Sequence, residues 1–429
     1  MKLSIHDIEM AKNMADKNKN WSRRDFMKLA GAAGVGAVVS PMEQLAGAVV
    51  KSESEVFVPQ HVPTRPFGMS GVDVSILALG GIVNFLSNQL LLRQAFKMGV
   101  TCWDTSRGYI GGKSEKGIGK YFNKFPEDRK KVFLVTKTGH SDPDNMTQHL
   151  YDSLQRMQTT HIDLFLVQAV SNVKKEINKD IQAWAKQAKA RGKIRFFGFS
   201  THKNMENCLG DAAKLGWIDG IMATYNYRLM HTDRMKKAVD ACAEAGIGLI
   251  AMKTQASLIA NLWTNLGKET DAALKLNQQF IDKGFTTEQA KLKSVWENPA
   301  IASICSHMPN MTLLQANVAA ALNKTALSLN DKQLMEQYAR ETSCAYCAGC
   351  AEICEEAIAD AVPIGDIMRY LMYYCNYGDQ QHAIRLFNEL PFDTRKRIKQ
   401  VNYSKAEQYC PQRMPVAQLM RKAVAKLGC

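Results

Sequence analysis

The chain reads as a (β/α)8 TIM barrel followed by a small, mainly helical domain built around cysteines. Three observations lead there. Short apolar runs alternate with helix-like segments through most of the chain, the pattern of a parallel sheet covered by helices. The strand–helix units number eight over roughly 255 residues, which suits a closed barrel better than a doubly wound open sheet. Beyond them the composition changes, and Cys344, Cys347, Cys350 and Cys354 arrive within one short tract.

Residues 1–48 read as an export signal. A lysine-rich stretch leads into Ser22-Arg23-Arg24-Asp25-Phe26-Met27-Lys28, then an apolar run from Leu29 to Val39, then Ala46-Gly47-Ala48. A basic region, a short apolar region and a small-residue site in that order form a cleavable signal. The apolar run is too short to cross a bilayer, which takes about 20 residues. The Ser22–Lys28 stretch resembles a twin-arginine signal. It implies passage through the twin-arginine translocase, cleavage after Ala48, a periplasmic location and a mature chain with no integral membrane span. Residues 49–66 read as a linker, with Pro59, Pro63 and Pro66 discouraging regular structure.

The barrel is expected over 67–323. Its strands are Val74–Leu79, Val100–Trp103, Val132–Thr136, Ile162–Val167, Ile194–Phe199, Ile218–Thr224, Ile247–Met252 and Ile301–Cys305. Helical segments follow at 88–98, 114–123, 144–157, 176–190, 204–215, 232–245, 277–296 and 311–323. A long loop, 253–276, separates the seventh strand from its helix and is placed to cover a site. No G-x-G-x-x-G follows the first strand, which argues against a Rossmann cofactor site.

Chemistry in such a barrel belongs at the C-terminal strand ends. There stand Asp104 and Tyr109, Lys137, Gln168, Ser200, Asn226, Lys253, Ser306 and His307. A lysine beside a tyrosine favours the phenolate, and Asp104 would neutralise and orient Lys137. Tyr109 would then act as a general acid on a carbonyl oxygen. The competing reading makes Asp104 a loop cap, Lys137 a solvated side chain and Tyr109 a rim residue.

These residues sit in motifs: Trp103-Asp104-Thr105-Ser106-Arg107-Gly108-Tyr109, Gly112-Lys113-Ser114-Glu115, Val135-Thr136-Lys137, His161-Ile162-Asp163-Leu164, Gly198-Phe199-Ser200 and Tyr225-Asn226. In order and placement the set resembles the aldo/keto reductase family over roughly residues 67–323. The resemblance implies an aspartate, tyrosine, lysine and histidine around the nicotinamide of NAD(P)H, with hydride transfer to an aldehyde or ketone. Asp104, Tyr109 and Lys137 match, whereas Gln168 stands where the histidine is expected. Glutamine donates a hydrogen bond but relays no proton near neutral pH. His140 and His202 lie on neighbouring loops. For the cofactor, the resemblance implies Ser200, Asn226, Lys253, Ser306 and Asn317. The phosphate loop departs from the family: His307 replaces its glycine and no arginine or lysine lies near 310, which weakens the case for NADPH.

Residues 324–429 form the second domain, with helices starting after Ser328 and near 366–376, 379–388, 392–400 and 417–426. C-x2-C-x2-C-x3-C is the ferredoxin-type spacing for a [4Fe–4S] cluster. A zinc site or free thiols are the alternatives. Tyr409-Cys410-Pro411 looks like the remnant of a second tract. Cys344, Cys347 and Cys350 with Cys410 would then hold one cluster, and the rival assignment uses Cys354 as the fourth ligand. Barrel plus ferredoxin-like tail resembles an iron–sulfur branch of the same family.

The net charge of +14 is spread along the chain without a basic tract or a stacking groove, so nucleic acid is not an expected partner. Two functions remain. One is an exported oxidoreductase that acts on a carbonyl or alcohol substrate and exchanges electrons with a redox protein. The other is a non-catalytic electron-transfer subunit on the same scaffold.

Overall fold

The computed structural model describes residues 61–139, 141–256, 271–377 and 379–428. The twin-arginine segment, the Ala48 cleavage site, His140, residues 257–270 of the long loop and Cys429 lie outside them.

Eight parallel strands close into a barrel: β3 (Leu77–Gly80), β4 (Cys102–Asp104), β5 (Phe133–Thr138), β6 (Ile162–Val167), β7 (Ile194–Thr201), β8 (Gly220–Thr224), β9 (Gly248–Met252) and β10 (Ile301–His307). The last pairs with the first, Cys305 opposite Ala78, and this closes the ring. Closure leaves no free edge, and apolar runs buried on both faces are what such strands require.

Two elements differ from the expectation. Val74–Leu79 is not one strand. Asp73–Ser75 (β2) pairs antiparallel with Thr64–Pro66 (β1), while Leu77–Gly80 joins the barrel. The Ser75 hydroxyl donates to the Leu77 carbonyl at 2.8 Å and marks the change of partner. Pro66 is tolerated because it ends an edge strand, where a missing N–H costs little. The segment 277–296 is two helices, Asp271–Asp282 and Thr287–Trp296, separated at Gly284, whose φ is +79°.

The β1–β2 hairpin plugs the bottom of the barrel. Phe67, just past β1, is fully buried against Phe133 and Phe196, with ring centroids 5.1 and 6.1 Å away. Gly248 makes the room for it: a Cβ there would lie 2.4 Å from the Phe67 ring. Helices on the outside bury their apolar faces against the strands. Asp142, Asn178 and Thr232 cap three of them, each accepting from a backbone N–H of the first turn.

After Met311–Leu322, the helix Leu329–Glu341 starts with a Ser328–Asp331 capping box and returns along the barrel. The cysteine tract follows, then the helices Ala351–Glu356, Ile364–Asn376, Gln380–Asn388, Phe392–Arg397, Ser404–Tyr409 and Val416–Leu427. These helices enclose their own core around Ile367, Leu371, Phe387 and Met420. Barrel and module belong to one compact unit, Val58–Cys429. No described helix is long and apolar enough to cross a membrane.

Candidate active site at the barrel mouth

Asp104 ends β4 and Lys137 lies near the end of β5; both side chains are buried. The Lys137 ammonium donates to an Asp104 carboxylate oxygen and, at 2.9 Å, to the Thr105 carbonyl. Burial pushes the Asp104 carboxyl up, and Lys137 opposes that shift. Tyr109 opens a short turn, Tyr109–Gly112, with the Lys137 ammonium 5.2 Å from its ring centroid.

The sequence leads one to expect that Lys137 depresses the Tyr109 phenol. The structure corrects this. The phenol is pushed well above its usual value, first by burial and then by Asp104, Cys305 and Tyr373. The reason is geometric: Lys137 spends its donors on Asp104 and Thr105 and meets the face of the tyrosine ring. Tyr109 therefore holds its proton at neutral pH, the state from which a general acid starts.

The loop carrying Tyr109 is held from behind. Thr105 and Ser114 hydroxyls lie 2.7 Å apart, and buried Glu115 accepts from Thr136 at 2.8 Å. Arg156 donates to the Arg107 carbonyl at 3.1 Å. Gln168 follows β6 and accepts at 2.9 Å from Ser106, so it does stand beside this loop. Asp163 does not. It lies at the opposite end of β6, paired with Arg129 and Arg195 at 2.9 and 2.8 Å.

The residues expected to hold the cofactor are engaged by the protein itself. Ser200 accepts from the Ala169 N–H at 3.1 Å. Asn317 donates to Ser306 at 2.9 Å. The Asn226 amide donates to the Tyr346 hydroxyl at 2.8 Å and to the Lys253 carbonyl at 3.2 Å. Lys253, in a left-handed conformation with φ +55°, places its ammonium 3.5 Å from the Tyr373 hydroxyl. His202 pairs with Thr224 at 3.2 Å and is kept neutral by burial and by Lys253, Arg369 and Lys137.

Tyr346, Arg369 and Tyr373 come from the helical module and were not singled out in the sequence. The signal available was spacing: on the helix Ile364–Asn376, Asp366, Arg369 and Tyr373 share one face. That face meets the mouth. Lys203 on the barrel pairs with Asp366 at 2.7 Å, and Arg369 pairs with the same carboxylate at 2.8 Å. Arg228 donates to the Ala339 carbonyl and the Thr342 hydroxyl at 3.0 and 2.7 Å. Between barrel and module lies a pocket lined by His202, Lys253, Tyr346, Arg369 and Tyr377 among others.

A second pocket, of about 390 Å³, lies inside the module and is lined by Cys347, Cys350, Cys354 and Cys410. Cys344 is not part of its lining; it sits in the turn Ser343–Ala345 that ends the preceding helix. As placed, no group of three or more metal-ligating side chains among the described residues is close enough to hold a metal ion. Gly349 shapes the tract: at φ +77°, a Cβ there would lie 2.4 Å from the His202 carbonyl oxygen.

A closed parallel barrel with a buried lysine–aspartate pair and a protonated tyrosine at its C-terminal mouth defines a class of (β/α)8 proteins equipped for acid–base work on an oxygen. Residues 78–329 match the aldo/keto reductase family model, and the chain belongs to that family. The aldo-keto reductase yakc of Schizosaccharomyces pombe, whose name carries NADP(+), is 30% identical over 202 residues, 44% of this chain. An aldo-keto reductase of Fusarium vanettenii is 27% identical over 245 residues, 46% of this chain. The chain spans 57% and 65% of the length of these two relatives. In fold it is similar to a Bacillus halodurans aldo-keto reductase in its holo form, with a TM-score of 0.54 at 19% identity over 68% of this chain and 99% of that one.

Tyr373 is the group whose titration reports on the mouth. Burial pushes its phenol up, but Lys253 and Arg369 more than offset this and hold it at about 8. Tyr377 and His382 stack on the ring at 5.6 and 5.8 Å. A depressed pKa means that the folded state favours the phenolate. Its contribution to stability is complete above the unfolded value near 10 and is lost as pH falls through about 8. The phenolate ultraviolet signal should therefore show a component with a midpoint of about 8 that Tyr373→Phe removes and Lys253→Met shifts upward. A lowest tyrosine midpoint at the ordinary value would show that the two cations do not act on this phenol.

Proposed function

We propose that the chain is an exported oxidoreductase of the aldo/keto reductase type, acting at a carbonyl or alcohol carbon held at the barrel mouth. The observation that carries this reading is the Asp104–Lys137–Tyr109 constellation. Asp104 neutralises Lys137, and Lys137 fixes the Thr105 carbonyl and so the loop that presents Tyr109. Reduction adds two electrons and two protons: Tyr109 gives one proton to the reacting oxygen, and two one-electron transfers from an external redox donor with a proton from solvent complete the change at carbon; oxidation reverses each move. Ser106 holds the carbonyl end of Gln168, which leaves the amide N–H groups to donate to the same oxygen.

The residues given to NAD(P)H do not fit it as they stand. Asn226 and Asn317 are taken by protein groups, and His307 and Asn310 supply neither the glycine nor the base of a phosphate loop. The thiol pocket fits an iron–sulfur cluster by donor chemistry: soft sulfur ligands, close in sequence, completed by a remote cysteine followed by proline. Cys347, Cys350, Cys354 and Cys410 would hold it. When bound, it would carry single electrons to or from a redox protein partner. In this reading residues 1–48 are the signal, 49–66 the linker, 67–323 the barrel and 324–429 the cluster domain, and export delivers the mature chain to the periplasm. A non-catalytic electron-transfer subunit is the second reading, favoured by Tyr346 and Tyr373 filling the mouth.

Three experiments test these statements. With anaerobic protein and a reduced viologen as electron source, Tyr109→Phe should lower carbonyl reduction roughly 10²–10⁴-fold, the span of general-acid catalysis. Unchanged turnover would reject the constellation, and a parent protein inert on aldehydes and ketones would favour the second reading. After anaerobic reconstitution, serine at Cys347, Cys350, Cys354 or Cys410 should remove iron and sulfide, whereas Cys344→Ser keeps both. Iron loss in Cys344→Ser would restore the assignment drawn from spacing. Replacing Arg23 and Arg24 with lysine should leave the precursor in the cytoplasmic fraction. Undiminished export would overturn the twin-arginine reading.

A further inference from the structure

Three cations gather at the pocket between barrel and module: one carboxylate, Asp366, pairs with two of them, and the third, Lys253, meets a phenol instead of a carboxylate. Lys203 and Arg369 share one carboxylate, Asp366. The nearest polar group to the Lys253 ammonium is the Tyr373 hydroxyl at 3.5 Å, with the Tyr373 and Tyr377 rings at 4.6 and 5.5 Å. Among the described residues, no carboxylate pairs with Lys253. The Arg369 Nε–H is buried with no hydrogen-bond partner, an uncommon and costly state. His202 on the same wall is neutral and supplies no counter-charge.

An arginine donor without an acceptor and a cation without a carboxylate, on one pocket wall, are the two halves of an oxyanion receptor. The ligand's oxyanion need not be that of a dinucleotide. Asn226 and Asn317, the positions that resemblance gives to a cofactor, are already satisfied, while Arg369, whose guanidinium also meets Asp366 and Tyr373, keeps its Nε–H without an acceptor. Arg369 and Tyr373 stand near enough to Tyr109 for their charges to act on it. Tyr109 is not among the pocket's lining residues, so a ligand anchored here must extend beyond the pocket to meet its hydroxyl.

We propose that this pocket recognises a carboxylate carried by the substrate, received by the Arg369 Nε–H and the Lys253 ammonium, so that the substrate is an oxo or hydroxy carboxylic acid. Two separate donors match the two oxygens of a planar carboxylate. The assignment rests on the chemistry placed at Tyr109, and binding tests it apart from turnover.

Calorimetric titration of the full-length mature chain should use pyruvate, acetoacetate and levulinate, which set the carbonyl one, two and three carbons from the carboxylate, each against its methyl ester. At least one acid should bind saturably and its ester at least about tenfold more weakly. Arg369→Met and Lys253→Met should each cost a further tenfold or more, roughly the loss of one charge-assisted contact. Arg369→Lys, which keeps the charge on Asp366, should retain part of the affinity. The Lys253→Met variant removes no ion pair, so it serves if Arg369→Met fails to fold. Equal binding of acid and ester, no binding of any acid, or variants that bind like the parent would overturn the proposal. So would displacement of the acid by NADP+ with NADP+ weakened by the same variants, since the oxyanion would then be the cofactor's. An acid that binds as described but is never turned over leaves this subsite standing and removes the catalytic reading instead.

Discussion

The docking of the helical module onto the barrel mouth determines what every strand-end residue can do. In an open barrel, Asn226 and Lys253 would face solvent or a cofactor. Here the Asn226 amide is satisfied by Tyr346, and Lys253 looks into Tyr373. Arg228 stacks over Tyr227, Tyr338 and Tyr346 while donating to the helix above. Because these contacts are shielded from water, each hydrogen bond and charge counts for more than it would on a surface. The module therefore contributes groups to the site as well as a cover.

The consequence is clearest in two phenols that share one mouth and titrate in opposite directions. Tyr109 lies beside a lysine, yet its proton is held tightly, because that lysine is committed to Asp104. Tyr373 is equally enclosed, yet Lys253 pairs with no carboxylate among the described residues and Arg369 shares Asp366 with Lys203, and together they draw it down to about 8. Groups of one chemical type are pushed apart in this way when burial and neighbouring charges differ between them. Sequence spacing shows that a lysine is near a tyrosine, but not which partner its ammonium prefers.

What the sequence reveals follows the same line. Buried parallel strands are continuous apolar runs, so Ile162–Val167 could be read with its final bounds. Asp104, Lys137 and Gln168 lie at ends of such runs and were legible for that reason. Val74–Leu79 misled because one apolar run serves two sheets, with the Ser75 hydroxyl bonded to the Leu77 carbonyl where they meet. Tyr346, Arg369 and Tyr373 were hidden because their partners lie far away in sequence, and only packing brings Asn226 to Tyr346. The cysteines are set apart by local structure. The helix Ala351–Glu356 begins directly after Cys350 and carries Cys354 into the thiol pocket, while Cys344 stays in the turn before it.

The two pockets are not independent. Cys347, Ala348, Gly349, Gly365 and Met368 line both, so the tract that bears the thiols also forms a wall of the mouth. Met368 precedes Arg369 on the helix Ile364–Asn376, and Cys410 reaches the thiol pocket from just beyond the helix Ser404–Tyr409. Anything that draws Cys410 toward Cys347 and Cys350 must brace that helix between them, and with it the position of Arg369. Metal binding that closes remote ligands is folding free energy for the segments it joins. In the proposed enzyme, a group held by the thiols and a substrate held by Arg369 would both act on one helix, Ile364–Asn376.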